Sequence, residues 1–240
     1  MDYFAPFWEA FRSVAERVPF CLWGIGCCDL KNEFSLPPKS LIEDIVNKSK
    51  LCIVRDNLTR TFLEDCEIPP PVLCPSVNAV DTLLEKGKDL LHVVNYTTAG
   101  AETYEAMCSA AEMFVKKTGR VYRETNNLVS RDSQNEMAQI LSRYQKSDIV
   151  LSSALHGCII GVAMGLKVLA VSGDRKIDAF MEAVNLKEWV LDTDEINLVP
   201  KHLQEMESQI NPISILEDAR RDSYSVAQKI LDIIGNSNQR

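Results

Sequence analysis

Asp148-Ile-Val-Leu-Ser-Ser-Ala-Leu-His-Gly-Cys-Ile-Ile-Gly-Val-Ala-Met-Gly-Leu-Lys-Val-Leu-Ala-Val-Ser172 reads as a strand, a sharp turn, a helix and a second strand. The first apolar run ends in Ser152-Ser153, and a helix of small residues begins near His156-Gly157. Gly165 stops that helix, and residues 168–171 form the next apolar run. This is a βαβ unit whose polar residues gather where the first strand hands over to the helix. In an open parallel sheet that handover lies at the carboxyl edge, where ligands bind. The helix N-terminus there offers unpaired N–H groups and the positive end of a dipole, a seat for phosphate or carboxylate. His156 stands at that seat and is the first candidate for chemistry.

Working outward, the same alternation continues on both sides. Upstream, residues 91–96 read as a strand, 102–117 as a helix closed by Gly119, and 120–125 as a strand. Residues 132–146 read as a helix capped by Ser130 or Asp132. Downstream come a helix over 176–184, a strand over 189–191 and two terminal helices around 197–207 and 213–234. The first third reads as an amphipathic helix at 7–18, a strand at 19–25 ending around Gly24 and Gly26, and a helix at 39–48. A strand at 51–56 and a helix at 59–66 follow, then Pro69-Pro70-Pro71, a short strand at 72–74 and a short helix at 80–86. Strands alternating with helices of this length mean a parallel α/β architecture. Gly87-Lys88 suggests a linker, dividing the chain into 1–87 and 88–240.

The 240 residues carry a net charge of −8, with 46% hydrophobic and 25% charged positions. That balance is ordinary for a globular protein and disfavours nucleic acid or an anionic membrane as partner, since both select basic surfaces. The N-terminus has no basic, apolar leader, and no apolar run approaches the roughly 18 residues of a spanning segment. The expected location is the cytoplasm. Eight cysteines sit mostly within apolar runs such as Leu51-Cys52-Ile53-Val54, with no Cys-x-x-Cys pair, which suggests buried, reduced thiols. His92 and His202 have no sequence neighbours that make a ligand set, so no metal is assigned, and no cofactor is expected.

Several segments together resemble the polysaccharide pyruvyltransferase family. Asp148-Ile-Val-Leu-Ser-Ser-Ala-Leu-His-Gly-Cys-Ile-Ile is similar to its signature, and Gly165-Leu-Lys-Val-Leu-Ala-Val with Asp174-Arg-Lys-Ile-Asp-Ala-Phe180 to the segment after it. Pro19-Phe-Cys-Leu-Trp-Gly-Ile-Gly26, Cys52-Ile-Val-Arg-Asp-Asn-Leu-Thr59 and Cys74-Pro75-Ser76 resemble its upstream segments, in the same order. The resemblance implies two Rossmann-like parallel-sheet halves facing a cleft, as in the GT-B glycosyltransferases. It also implies transfer of an enolpyruvyl unit from phosphoenolpyruvate to a saccharide of a cell-surface polysaccharide or its lipid-linked precursor, as a ketal. Two departures stand out. The family's arginine two residues before the histidine is Ala154 here, and the N-terminal half looks shortened, as in a fragment or a chain completed by a partner or oligomer.

The chemistry implied needs a proton for the methylene carbon, a deprotonated acceptor hydroxyl and a held phosphate. His156 suits proton transfer or phosphate binding. Arg55, directly after a strand, either grips the anion or pairs with Asp56 or Glu64. Ser153, with Ser152, either donates to the anion or caps the helix; Gly157 completes that turn. Arg175 and Lys176 are the nearest substitutes for the missing arginine. Gly24 and Gly26 allow close backbone approach or simply a tight turn. Rival readings are a glycosyltransferase using a nucleotide sugar and a non-catalytic, partner-dependent paralogue.

Overall fold

A parallel strand with neighbours on both sides and helices on both faces is buried throughout, so its sequence runs apolar without alternation. Ile149, Val150 and Leu151, and on the next strand Val168 to Val171, have no exposed surface. Both runs are strands in the computed structural model of the chain, which describes residues 5–28, 30–31, 38–129, 134–210 and 214–237. From the N-terminus come α1 (Ala5–Ala15), β1 (Cys21–Ile25), α2 (Lys39–Lys48), β2 (Leu51–Val54) and α3 (Asn57–Phe62). Then follow β3 (Asp89–Val93), α4 (Tyr96–Thr118), β4 (Tyr122–Thr125), α5 (Gln134–Gln145), β5 (Ser147–Ser152), α6 (Leu155–Ala163) and β6 (Lys167–Ser172). The chain closes with α7 (Arg175–Ala183), β7 (Val190–Asp192), α8 (Val199–Met206) and α9 (Ser214–Ser237).

Among the described residues the strands form two sheets, β1-β2 and β4-β3-β5-β6-β7, with every pairing parallel. This is the α/β class expected. The chain divides into two compact units, residues 1–75 with 217–240, and residues 76–216. The sequence suggested a boundary at 87, but Gly87 is packed inside the second unit. Its N–H donates to Gln145 O (3.1 Å), and a side chain there would overlap the backbone of Lys146.

In the first unit β2 delivers Cys52 and Val54 to a core shared with Ile42 and Val46 of α2, Leu63 and Cys66. Trp8 of α1 packs on this core, and the rings of Phe7, Trp8 and Phe11 adjoin one another, with Phe11 reaching Phe20. Burying each such side chain stabilises by roughly 1.5–3 kcal/mol. Ile230, Ile233 and Ile234 of α9 line a pocket with Pro19, Phe20 and Cys21, the entry to β1.

Two expected elements are absent among the described residues, for different reasons. Residues 72–74 form no strand: Val72 N–H reaches Val54 O (3.0 Å), but the three prolines before it have no donor to extend a ladder. Residues 80–86 form no helix. After a 3₁₀ turn at Pro75–Asn78, Leu83 N–H donates to Met164 O (3.1 Å), Thr82 Oγ1 to Ala163 O (3.1 Å) and Lys86 Nζ to Gly165 O. This segment thus caps the carbonyls left open at the end of α6. One start also moves. Tyr96 opens α4 rather than ending β3, with a break at Gly100 (φ 75°, ψ 164°) before the main run of the helix. The caps expected for α5, Ser130 and Asp132, lie outside the described residues. Among those described, no helix is long and apolar enough to cross a membrane.

Candidate functional site

In the larger sheet β4 and β5 flank β3 on opposite sides, so the connections out of β3, toward β4, and out of β5, toward β6, diverge at the carboxyl edge. Such a switch point opens a crevice between the two strand ends. The two loops here are tied together: Ser153 N–H donates to Val93 O (3.0 Å), and Ser153 Oγ accepts from Asn95 N–H (3.0 Å). Ser153, buried in this way, holds the β3 loop against the β5 loop. Ser152 Oγ accepts from Ala154 N–H (3.1 Å) and donates to Ala154 O (2.9 Å), locking the turn into α6.

His156 stands in the first turn of α6 and is exposed, while its neighbours Leu155 and Gly157 are buried. The capping residue is Ala154, in extended backbone, and it contributes no side-chain acceptor to the helix. The helix start therefore keeps its electropositive character, and the histidine projects from it at the switch point. Gly157 faces inward. A Cβ there would overlap Ser152 Oγ and lie 2.7 Å from Val93 Cγ1, and one at Gly161 would lie 2.8 Å from Val168 Cγ2. The pair, four residues apart, lets α6 lie close on the sheet. Gly157 thus acts through packing, and it is His156 that meets solvent.

Arg175 and Lys176 open α7 at the adjoining strand end. Asp174 caps this helix, accepting from Lys176 N–H (3.1 Å), and its buried carboxylate holds Lys176 Nζ at 2.6 Å. Lys176 is thereby paired within the fold, and Arg175 is exposed. In the first unit Arg55 follows β2, as expected, and lies 3.2 Å from Asp56. Asp56 also accepts from Thr59 N–H (2.7 Å) and Thr59 Oγ1 (2.5 Å), and Thr59 Oγ1 accepts from Cys27 N–H (2.9 Å). Gly26 leaves room for the Arg55 guanidinium, which a Cβ would overlap. Gly24 adopts φ +70° with Pro75 Cδ 2.5 Å from where a Cβ would be. The strand-end glycines and Arg55 thus form one interlocked group. Arg123 of β4 pairs with Asp89 at 2.5 Å.

A second polar group was not foreseen. His92, fully buried on β3, faces Tyr122 and Glu124 on β4 and Tyr104 and Cys108 on α4. Tyr122 Oη lies 2.9 Å from His92 Nδ1 and donates to Glu124 Oε2 (2.7 Å); Tyr104 Oη donates to the same carboxylate (3.2 Å). Burial pushes the His92 imidazole down to about 4, so its contact with Glu124 at 3.7 Å is not an ion pair at neutral pH. Both phenols are raised, Tyr122 chiefly by burial and Tyr104 chiefly by its hydrogen bond with Cys108. The two-residue step from Tyr122 to Glu124 and the four-residue step from Tyr104 to Cys108 were visible in sequence. The β3–β4 register that sets His92 opposite Glu124 was not. His92 turns toward α4 and Val93 toward α6, so this cluster and His156 belong to opposite faces of the sheet.

A family model described as polysaccharide pyruvyl transferase matches residues 2–175. No curated protein gives a significant match. Among solved structures, similarity extends to a chain in the crystal structure of accessory secretory protein 1,2 and 3 in Streptococcus pneumoniae. Identity is 11% and the TM-score 0.46, over 96% of this chain and 57% of that one, so the chain spans little more than half that protein's length.

Proposed function

The chain belongs to the polysaccharide pyruvyl transferase family, and from that premise we propose that it moves the enolpyruvyl carbons of phosphoenolpyruvate onto a pair of saccharide hydroxyls. The saccharide is part of a cell-surface polysaccharide or its lipid-linked precursor. The observation that carries the proposal is an exposed His156 in the uncapped first turn of α6, at the switch point of a parallel sheet. The matched span contains both His156 and Arg55.

In this reading the start of α6 and Arg175 receive the donor's anionic groups, taking over from the arginine that Ala154 lacks. His156 delivers a proton to the methylene carbon, making it a methyl group and leaving C2 open to attack. One acceptor hydroxyl bonds to C2, phosphate departs from it, and the second hydroxyl closes the ketal. Of the two hydroxyl protons released, one replaces that given by His156 and the other leaves with phosphate. An imidazole exchanges protons in both directions near neutral pH, which this sequence of steps requires.

Phosphate release from phosphoenolpyruvate, followed across a panel of saccharides, tests the reading. It predicts acceptor-dependent release that falls by roughly 10²–10⁴-fold in His156→Ala, the range of a lost general acid–base group. Release of nucleoside diphosphate from a nucleotide sugar, with phosphoenolpyruvate inert, would replace it with glycosyl transfer, the alternative that Ala154 favours.

A further inference from the structure

The cluster on the α4 face has no part in pyruvyl transfer as proposed above, and its donor atoms are of a kind that binds metal. His92 Nδ1, Cys108 Sγ and Glu124 Oε2 form a nearly equilateral triangle with edges of 3.9, 3.9 and 3.7 Å. The centre of such a triangle lies about 2.2 Å from each corner, where zinc–nitrogen, zinc–oxygen and zinc–sulfur bonds run ~2.0–2.3 Å. Tyr122 Oη sits over one face of it, 2.9 Å from the nitrogen, 2.7 Å from the oxygen and 3.7 Å from the sulfur. The point about 2.2 Å from all four atoms lies in the plane of the triangle, so Tyr122 Oη caps a three-atom site from above.

Hydrogen bonding alone leaves the group incomplete. His92 is fully buried, yet its Nε2 has no hydrogen-bond partner among the described residues, so either neutral tautomer strands one buried nitrogen function. An ion bound at Nδ1 fixes the proton on Nε2 and leaves that N–H unpartnered; it is the spacing of the three ligand atoms that favours the ion. Cys108 is half-buried and Glu124 32% exposed, which gives an ion a route in from solvent. One thiolate, one imidazole and one carboxylate suit a borderline transition metal better than magnesium or calcium, which take all-oxygen sets.

We propose that His92, Cys108 and Glu124 bind a divalent ion of the zinc class, with Tyr122 Oη lying over the triangle they form, clamping β3, β4 and α4 together. The whole chain, stripped with chelator, is titrated with Co²⁺ and followed by absorption. The proposal expects a thiolate-to-cobalt band in the near ultraviolet and d–d bands in the visible, saturating at one equivalent and displaced by Zn²⁺. Cys108→Ser loses the near-ultraviolet band. Glu124→Gln, which keeps an acceptor for the tyrosines, weakens Co²⁺ binding by at least about tenfold. Absence of these bands at millimolar Co²⁺ overturns the proposal, as does a band unchanged in Cys108→Ser, which would assign the ion to another cysteine. Should Cys108→Ser fail to fold by circular dichroism, Glu124→Gln decides: unchanged affinity there overturns the site.

Discussion

At the scale of single residues, His156 differs from the other candidates in being exposed within a turn whose remaining members are buried and bonded to one another. Replacing it removes a reactive group without opening a core. His156→Ala is therefore expected to lose activity while its denaturant midpoint stays within about 0.5 kcal/mol of wild type, the range of a surface substitution. Arg55 differs, being tied to Asp56 and laid across Gly26. Gly26→Ala is expected to displace the guanidinium, and steady-state kinetics should show a raised KM for phosphoenolpyruvate if Arg55 grips that donor. An unchanged KM would reduce Arg55 to a structural contact. The position of His156 was legible because a strand, a turn and a helix follow one another without interruption in 148–172. The pairing of Lys176 with Asp174 was not, since it depends on where α7 begins and on the burial of the carboxylate, neither of which is a local pattern.

At the scale of elements, α6 holds the candidate site in place through its lack of side chains. Gly157 and Gly161 turn the same face to the sheet, and an added methyl meets Ser152 and Val93 at the first position and Val168 at the second. Gly157→Ala should cost about 1–3 kcal/mol by overpacking, read as a shift in urea midpoint, and should lower activity because the turn carrying His156 must move. A midpoint equal to wild type would mean the helix sits less tightly than these contacts imply. Strands and helices of the second unit were legible because their apolar periods are long and uninterrupted. The segment at 80–86 misled for a physical reason: its polar groups bond to the end of α6, 80 residues away in sequence, and not to its own backbone. The β3–β4 register was equally out of reach, and with it the cluster around His92.

At the scale of the whole molecule, the distribution of thiols reports on both units at once. All eight cysteines are reduced, with Cys28 exposed and Cys52 and Cys158 buried. Burial pushes Cys158 up to about 12 and Cys52 to about 11; Cys27 also rises to about 11, chiefly by burial and then by the charge of Asp56. A raised pKa keeps the group as thiol, so at pH 8 each of these should have a thiolate fraction of about a thousandth or less. Alkylation followed by mass spectrometry should mark Cys28 first and leave Cys52 and Cys158 unmodified until the protein unfolds. Early modification of Cys158 would contradict the close seating of α6 on the sheet.

The central claim, that the first turn of α6 receives the phosphoenolpyruvate anion beside His156, is tested most directly by thermal unfolding with increasing phosphoenolpyruvate, in wild type and in His156→Ala. A ligand at a hundredfold excess over its Kd stabilises the native state by about 2.7 kcal/mol, and each kcal/mol raises the midpoint by ~2–4 °C for a chain of this size. The account predicts a rise of several degrees in wild type that is largely lost in His156→Ala. A midpoint that does not move with phosphoenolpyruvate in wild type, or that rises equally in both proteins, would contradict it.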